Sequence, residues 1–275
     1  MIVNKFLKKY QKIVKKNNSL VCIGLDSELT KIPKHLLKES DPIFNFNKAI
    51  IDATHDLVCA YKPNIAFYEA EGIKGLQSLK KTVDYLRKKY PAIPIICDAK
   101  RADIGNTNIG YVKNIFDYFG FDAVTVNPYL GKEAIEPFLD QKDKGIIILC
   151  KTSNPGAGEL QDLKFKGKEL WQIVAEKVNK KWNFNHNCLL VIGATYPEEL
   201  KKIRKIIPEM VFLIPGIGAQ GGEVERTVEA GKNKQGNGMI INSSRGIIFA
   251  SNGRDFALAA RRETKKLKDL INKYR

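Results

Sequence analysis

Eight short apolar runs recur along this chain, and their spacing constrains its fold more than any other feature. They occupy residues 20–26, 57–65, 93–100, 123–129, 145–153, 188–195, 211–219 and 238–246. Each is mostly apolar and rich in Val and Ile, as expected of strands buried on both faces. Amphipathic helical patterns lie between most of them. In the stretch 72–90, Ile73, Leu76, Leu79, Val83 and Leu86 form an apolar face against a lysine-rich one, and 168–182 and 255–274 behave similarly. Strand and helix in alternation imply parallel pairing. Eight such units without a break in composition predict an α/β chain folded as one (β/α)8 TIM barrel over residues 1–275, with an extra amphipathic helix at 1–16.

Composition narrows the setting. No apolar run approaches the roughly 20 residues that span a bilayer. Residues 1–16 mix lysine with apolar side chains and lack the continuous apolar core of a secretory signal. Cys22, Cys59, Cys97, Cys150 and Cys188 sit in or beside apolar runs and form no C-x-x-C pair. That usage predicts buried thiols and a cytoplasmic protein, not a secreted disulfide scaffold or a membrane protein. The formal net charge is +16, yet the lysines are spread over many helical stretches and form no single basic block. A small anionic substrate is therefore expected in preference to nucleic acid.

A barrel of this kind carries its active site at the C-terminal ends of its strands, with phosphate often held after strands seven and eight. Those ends read Asp26; Lys62 with Asn64; Asp98, Lys100 and Asp103; Asn127; Thr152 and Ser153; Pro215-Gly216-Ile217-Gly218-Ala219-Gln220; and Ser243-Ser244-Arg245. In an extended strand alternate side chains share a face, so Asp98 and Lys100 project together, with Asp103 just beyond where the chain turns. Carboxylates and ammonium groups gathered at a strand mouth are costly to desolvate unless they neutralise one another. Taken alone, the D-x-K-x-x-D spacing also fits a surface ion pair at a strand end.

Gly216 to Gly221 match the dinucleotide fingerprint G-x-G-x-x-G, but the acidic residue expected about 20 positions later is replaced by Met239-Ile240-Ile241. The glycines are better used to let backbone N–H groups approach an anion, with a helix starting near Gly222 aiming its positive end at it. Arg245 offers a two-pronged contact to phosphate oxygens and Gln220 an amide donor. His35, His55 and His186 lie away from the strand ends, and neither an H-E-x-x-H, a Cys/His metal spacing nor a G-x-S-x-G elbow occurs.

With these residues in view the chain resembles the orotidine 5'-phosphate decarboxylase family, in its longer form. The resemblance runs from Gly24-Leu25-Asp26 to Ser244-Arg245-Gly246. Its most specific part is Asp98-x-Lys100-x-x-Asp103-Ile104-Gly105-Asn106-Thr107, supported by Tyr61-Lys62-Pro63-Asn64, Lys151-Thr152-Ser153-Asn154-Pro155-Gly156 and Pro215-Gly216-Ile217-Gly218. Ala102 stands where many relatives have glycine. The resemblance implies conversion of orotidine 5'-phosphate to UMP and CO2, without metal or organic cofactor. It implies that Lys62, Asp98, Lys100 and Asp103 form an alternating charge array around the scissile carboxylate. It further implies a homodimer in which Asp103, Ile104 and Thr107 reach the neighbouring subunit's site. Asp26 and Asn64 would contact ribose hydroxyls, Thr152 and Ser153 the pyrimidine, and Pro215, Gly218, Gln220 and Arg245 the ring and phosphate. Lys100, held charged by flanking carboxylates, would stabilise the C6 carbanion and protonate it. Two rivals share parts of the pattern. One is a Mg2+-dependent sugar-phosphate sibling on the same barrel, which tends to have an acidic ligand where Lys62 stands. The other is a non-catalytic phosphate- or nucleic-acid-binding barrel, which leaves the charge array without a purpose.

Overall fold

The structure, a computed structural model, describes residues 4–218 and 221–275. All eight expected strands form: β1 (Val21–Gly24), β2 (Ala60–Lys62), β3 (Ile96–Arg101), β4 (Ala123–Val126), β5 (Gly145–Lys151), β6 (Cys188–Ile192), β7 (Phe212–Pro215) and β8 (Met239–Ser243). Hydrogen-bonded neighbours run in the order β2-β1-β8-β7-β6-β5-β4-β3, every pair parallel. The ring closes between β2 and β3 through two isolated bridges, Tyr61 with Ile95 and Asn64 with Asp98. This seam is thin for a chemical reason. Pro63 and Pro94 have no N–H to donate, so the seam keeps only Tyr61 N–H to Pro94 O at 3.0 Å and Asp98 N–H to Pro63 O at 3.0 Å.

The strands are shorter than the apolar runs because the ends of those runs leave the ladder to form the mouth. Asn64 illustrates this: instead of ending β2, it caps the short helix Ile65–Glu69, accepting from the Ala66 N–H at 3.2 Å. Outside the ring lie the helices read from periodicity, among them Gly72–Lys89 and Phe256–Tyr274, while Leu170–Lys177 continues as a wider turn through Val178–Trp182. The helix expected after β7 spans Gly221–Gly231. Among the described residues no helix is long and apolar enough to cross a membrane, and all five cysteines are unpaired and buried.

The extra N-terminal helix, Lys5–Asn17, is capped by Asn4, whose side chain accepts from the Leu7 N–H at 3.0 Å. It closes the end of the barrel opposite the mouth. Phe6 is fully buried over Gly145 at the start of β5, where a Cβ would come within 2.6 Å of the Phe6 ring. Tyr10 donates from its hydroxyl to the Met239 carbonyl at 2.7 Å. Replacing Phe6 with Ala is expected to lower stability by about 3–5 kcal/mol, the cost of emptying a buried aromatic site. Denaturant unfolding measures this, and a loss under about 1 kcal/mol would mean that the helix is not part of the barrel floor.

Candidate active site

Lys62 ends β2 with its ammonium almost wholly buried, at 3% exposure. A buried charge persists only if neutralised, and Asp98 of β3 does this, its Oδ2 lying 2.7 Å from Lys62 Nζ. The other oxygen, Asp98 Oδ1, accepts from Lys100 Nζ at 2.7 Å and from the Thr125 hydroxyl at 2.9 Å. One carboxylate thus sits between two ammonium groups. Burial alone would push Lys62 down, but the Asp98 and Asp26 charges and the Asp98 hydrogen bond hold it above the ordinary lysine value. Burial likewise opposes ionisation of Asp98, and the Lys62 and Lys100 charges overcome it, holding its carboxyl well below the usual range. The signs set the stable window. The depressed Asp98 contributes stability above its unfolded pKa and loses it in acid. The raised Lys62 contributes below its unfolded pKa and loses it in alkali, so both remain charged across the neutral range.

Asp98 and Lys100 meet, but not by simple strand alternation. Pairing of β3 with β4 jumps from Cys97 opposite Val124 to Arg101 opposite Val126, so the strand bulges between them. Lys100 adopts the left-handed conformation at φ 47°, which costs a non-glycine residue about 1–3 kcal/mol. Thr125 of β4 sustains the bulge: its hydroxyl oxygen accepts from the Ala99 and Lys100 N–H groups, both at 3.0 Å, while its proton goes to Asp98. Thr125 thus supports the candidate site, and the sequence reading did not single it out. The available signal was a lone hydroxyl in the buried run Ala123-Val124-Thr125-Val126.

A cavity of about 950 Å³ opens over this array, and Lys62, Asp98, Lys100, Thr125, Asn127, Thr152, Ser153 and Pro215 all line it. Ser153 is seated by two glycines. A Cβ on Gly193, after β6, would come within 2.8 Å of the Ser153 Cβ, and one on Gly216, after β7, within 3.7 Å of its hydroxyl oxygen. A neighbouring cavity of about 410 Å³ is lined by Asp26, Gly216, Gly218, Ser244 and Arg245. The glycines, the exposed Arg245 and the helix Gly221–Gly231 make this side suited to an anion. Asp26 accepts from the Ser244 hydroxyl at 2.7 Å through Oδ2, while its Oδ1 is buried with no hydrogen-bond partner. A ligand hydroxyl placed there would satisfy it.

Asp103, Ile104 and Thr107 do not line either of these two cavities. All three are exposed beyond β3, and the Asp103 carboxylate accepts from the neighbouring Ile104 N–H at 2.7 Å. Asn64 stands at the β2–β3 seam as a helix cap, outside both cavity linings. Gln220 and Ala219 lie outside the described residues. Among the described residues no group of three or more His, Cys, Asp or Glu side chains is placed to hold a metal ion.

Comparison with known proteins places this geometry in context. Over 269 residues the chain is 51% identical to the orotidine 5'-phosphate decarboxylase of Cellvibrio japonicus, covering 97% of this chain and 98% of that protein. It is 53% identical over 242 residues to the orotidine 5'-phosphate decarboxylase of Christiangramia forsetii, covering 88% of each. The solved structure of Leishmania donovani OMP decarboxylase superposes with a TM-score of 0.84 at 35% identity, covering 98% of both chains, and shares the nearly closed eight-stranded barrel. Residues 19–260 match the sequence model of one family. The chain belongs to the orotidine 5'-phosphate decarboxylase / HUMPS family.

Proposed function

We propose that this protein decarboxylates orotidine 5'-phosphate to UMP and CO2, and that it does so with the charges of its own side chains. The observation that carries the reading is the chain Lys62–Asp98–Lys100, with both contacts at 2.7 Å, facing a cavity beside an anion site. In the reaction the bond from C6 to the carboxylate breaks, its electron pair remains on C6, and CO2 departs. Lys100, half exposed to the cavity, stabilises that pair electrostatically and then delivers a proton to C6. The resulting amine recovers a proton from solvent. Asp98 repels the substrate carboxylate, and two unit charges about 4 Å apart repel by about 4 kcal/mol at an effective dielectric of 20. Loss of CO2 relieves that repulsion, and binding of the remote phosphate offsets it in the bound state.

In this reading Arg245, Gly218 and Gln220 hold the phosphate, and the unpartnered Asp26 oxygen takes a ribose hydroxyl together with Asn64. Thr152, Ser153 and Pro215 face the pyrimidine. The family resemblance supplies Asp103, Ile104 and Thr107 to the second subunit of a homodimer. Ile104, Ile109, Tyr129 and Leu130 support this, being large apolar side chains left exposed on the segments after β3 and β4. Unpaired thiols suit a reducing, cytoplasmic setting. Purified protein in excess chelator is expected to consume orotidine 5'-phosphate, followed by its absorbance. Activity abolished by EDTA and restored by Mg2+ would instead favour the sugar-phosphate sibling.

The shared site has its own test. If Lys100 serves its own site and Asp103 the partner's, Lys100→Ala and Asp103→Ala homodimers are impaired at every site. Unfolding the two together and refolding should make about half the dimers mixed, giving roughly a quarter of all sites with both residues intact. Activity should recover accordingly. If no activity returns although differential tags confirm mixed dimers, Asp103 does not act across the interface.

A further inference from the structure

The segment after β5 is tied to itself at both ends by side chains outside the Lys62–Asp98–Lys100 array. At its root Lys151, 1% exposed, pairs with Asp162, and its Nζ lies 4.5 Å from the Tyr196 ring centroid beyond β6. One residue inward at each end, the Gln161 amide grips Thr152 twice. Its Oε1 accepts from the Thr152 N–H at 2.9 Å, and its Nε2 donates to the Thr152 hydroxyl at 2.8 Å. The intervening residues form the turns Pro155–Ala157 and Gly158–Gln161.

We infer that Gln161, backed by the Lys151–Asp162 pair, is a positioning residue that fixes Thr152 and Ser153 against the pyrimidine. A buried ammonium needs its carboxylate, so Asp162 is held at the segment's root. Gln161, its neighbour, is thereby delivered to Thr152. The amide engages the N–H and the hydroxyl of Thr152, and that hydroxyl in turn donates to Asn154 Oδ1 at 2.7 Å. Ser153, next in the chain, is then held on the Gly193 and Gly216 platform. The inference rests on the pyrimidine reading of Thr152 and Ser153 given above, and it assigns to Gln161 discrimination on the base side alone.

The test compares Gln161→Met, which keeps the length but loses both hydrogen bonds, with Gln161→Glu, which keeps the acceptor for the Thr152 N–H. Gln161→Met is expected to lower kcat/KM for orotidine 5'-phosphate by about ten- to a hundredfold, the effect of two neutral hydrogen bonds. Inhibition by ribose 5-phosphate, which lacks the base, should stay within about twofold, because the anion subsite is untouched. Gln161→Glu, which restores one of the two hydrogen bonds, should recover part of the loss, and Asp162→Asn should reproduce it in part. Gln161→Met activity within twofold of the parent, or an equal weakening of ribose 5-phosphate, would overturn the inference. Should the unaltered protein itself fail to decarboxylate, the functional reading falls and the clamp is still decided by amide exchange without ligand. Faster exchange of the Thr152 N–H in Gln161→Met upholds the clamp, and an unchanged rate refutes it.

Discussion

The Lys62 ammonium is buried at the end of β2, and the rest of the mouth is arranged around neutralising it. A lysine charge in that position is tolerable only with a carboxylate in contact, and Asp98 supplies one from the adjacent strand. Asp98 in turn carries more positive charge than it can balance, because Lys100 approaches its second oxygen. Asp26 adds a second carboxylate whose charge reaches Lys62, so carboxylate and ammonium groups alternate around the mouth. In the proposed reaction a departing carboxylate that leaves its electrons behind finds the Lys100 ammonium beside it.

Backbone features follow from the same constraint. The β2–β3 seam, where Lys62 and Asp98 face each other, is where prolines thin the ladder, so side-chain charge substitutes for missing backbone hydrogen bonds. The bulge that brings Lys100 to Asp98 puts a lysine in a left-handed conformation, and Thr125 stabilises it by accepting two N–H groups at once. Strain of this kind persists where surrounding structure over-determines it. Here the surrounding structure is a hydroxyl, a carboxylate and two ammonium groups that bond one another around the bulge.

The barrel was legible because parallel strands buried on both faces leave a strong, local signature of apolar runs; seven of the eight formed within their expected limits, and β3 runs one residue past its own, to Arg101. The strand-end rule also brought Lys62, Asp98, Lys100, Thr152, Ser153 and Pro215 to one cavity. Other features depend on contacts that spacing cannot encode. Asn64 caps a five-residue helix instead of extending β2, a choice made by the turn. The bulge at Lys100 arises from pairing with β4, and its support, Thr125, lies 25 residues further along the chain. Gln161 and Asp162 read as an ordinary polar stretch until the segment folds back on its own root. Asp103, Ile104 and Thr107 are exposed and outside both cavity linings, and their proposed role needs a second subunit.

The central claim is that Lys100, charged and held beside Asp98, both stabilises the developing carbanion and delivers its proton. The most direct measurement is single-turnover decarboxylation of orotidine 5'-phosphate by Lys100→Ala under saturating enzyme, which separates chemistry from binding. The claim predicts a fall in rate beyond the roughly 10²–10³-fold typical of deleting one electrostatic donor, because two functions are lost together. A fall of less than about tenfold, with the fold intact, would show that Lys100 is a structural partner of Asp98 and that the chemistry is carried elsewhere.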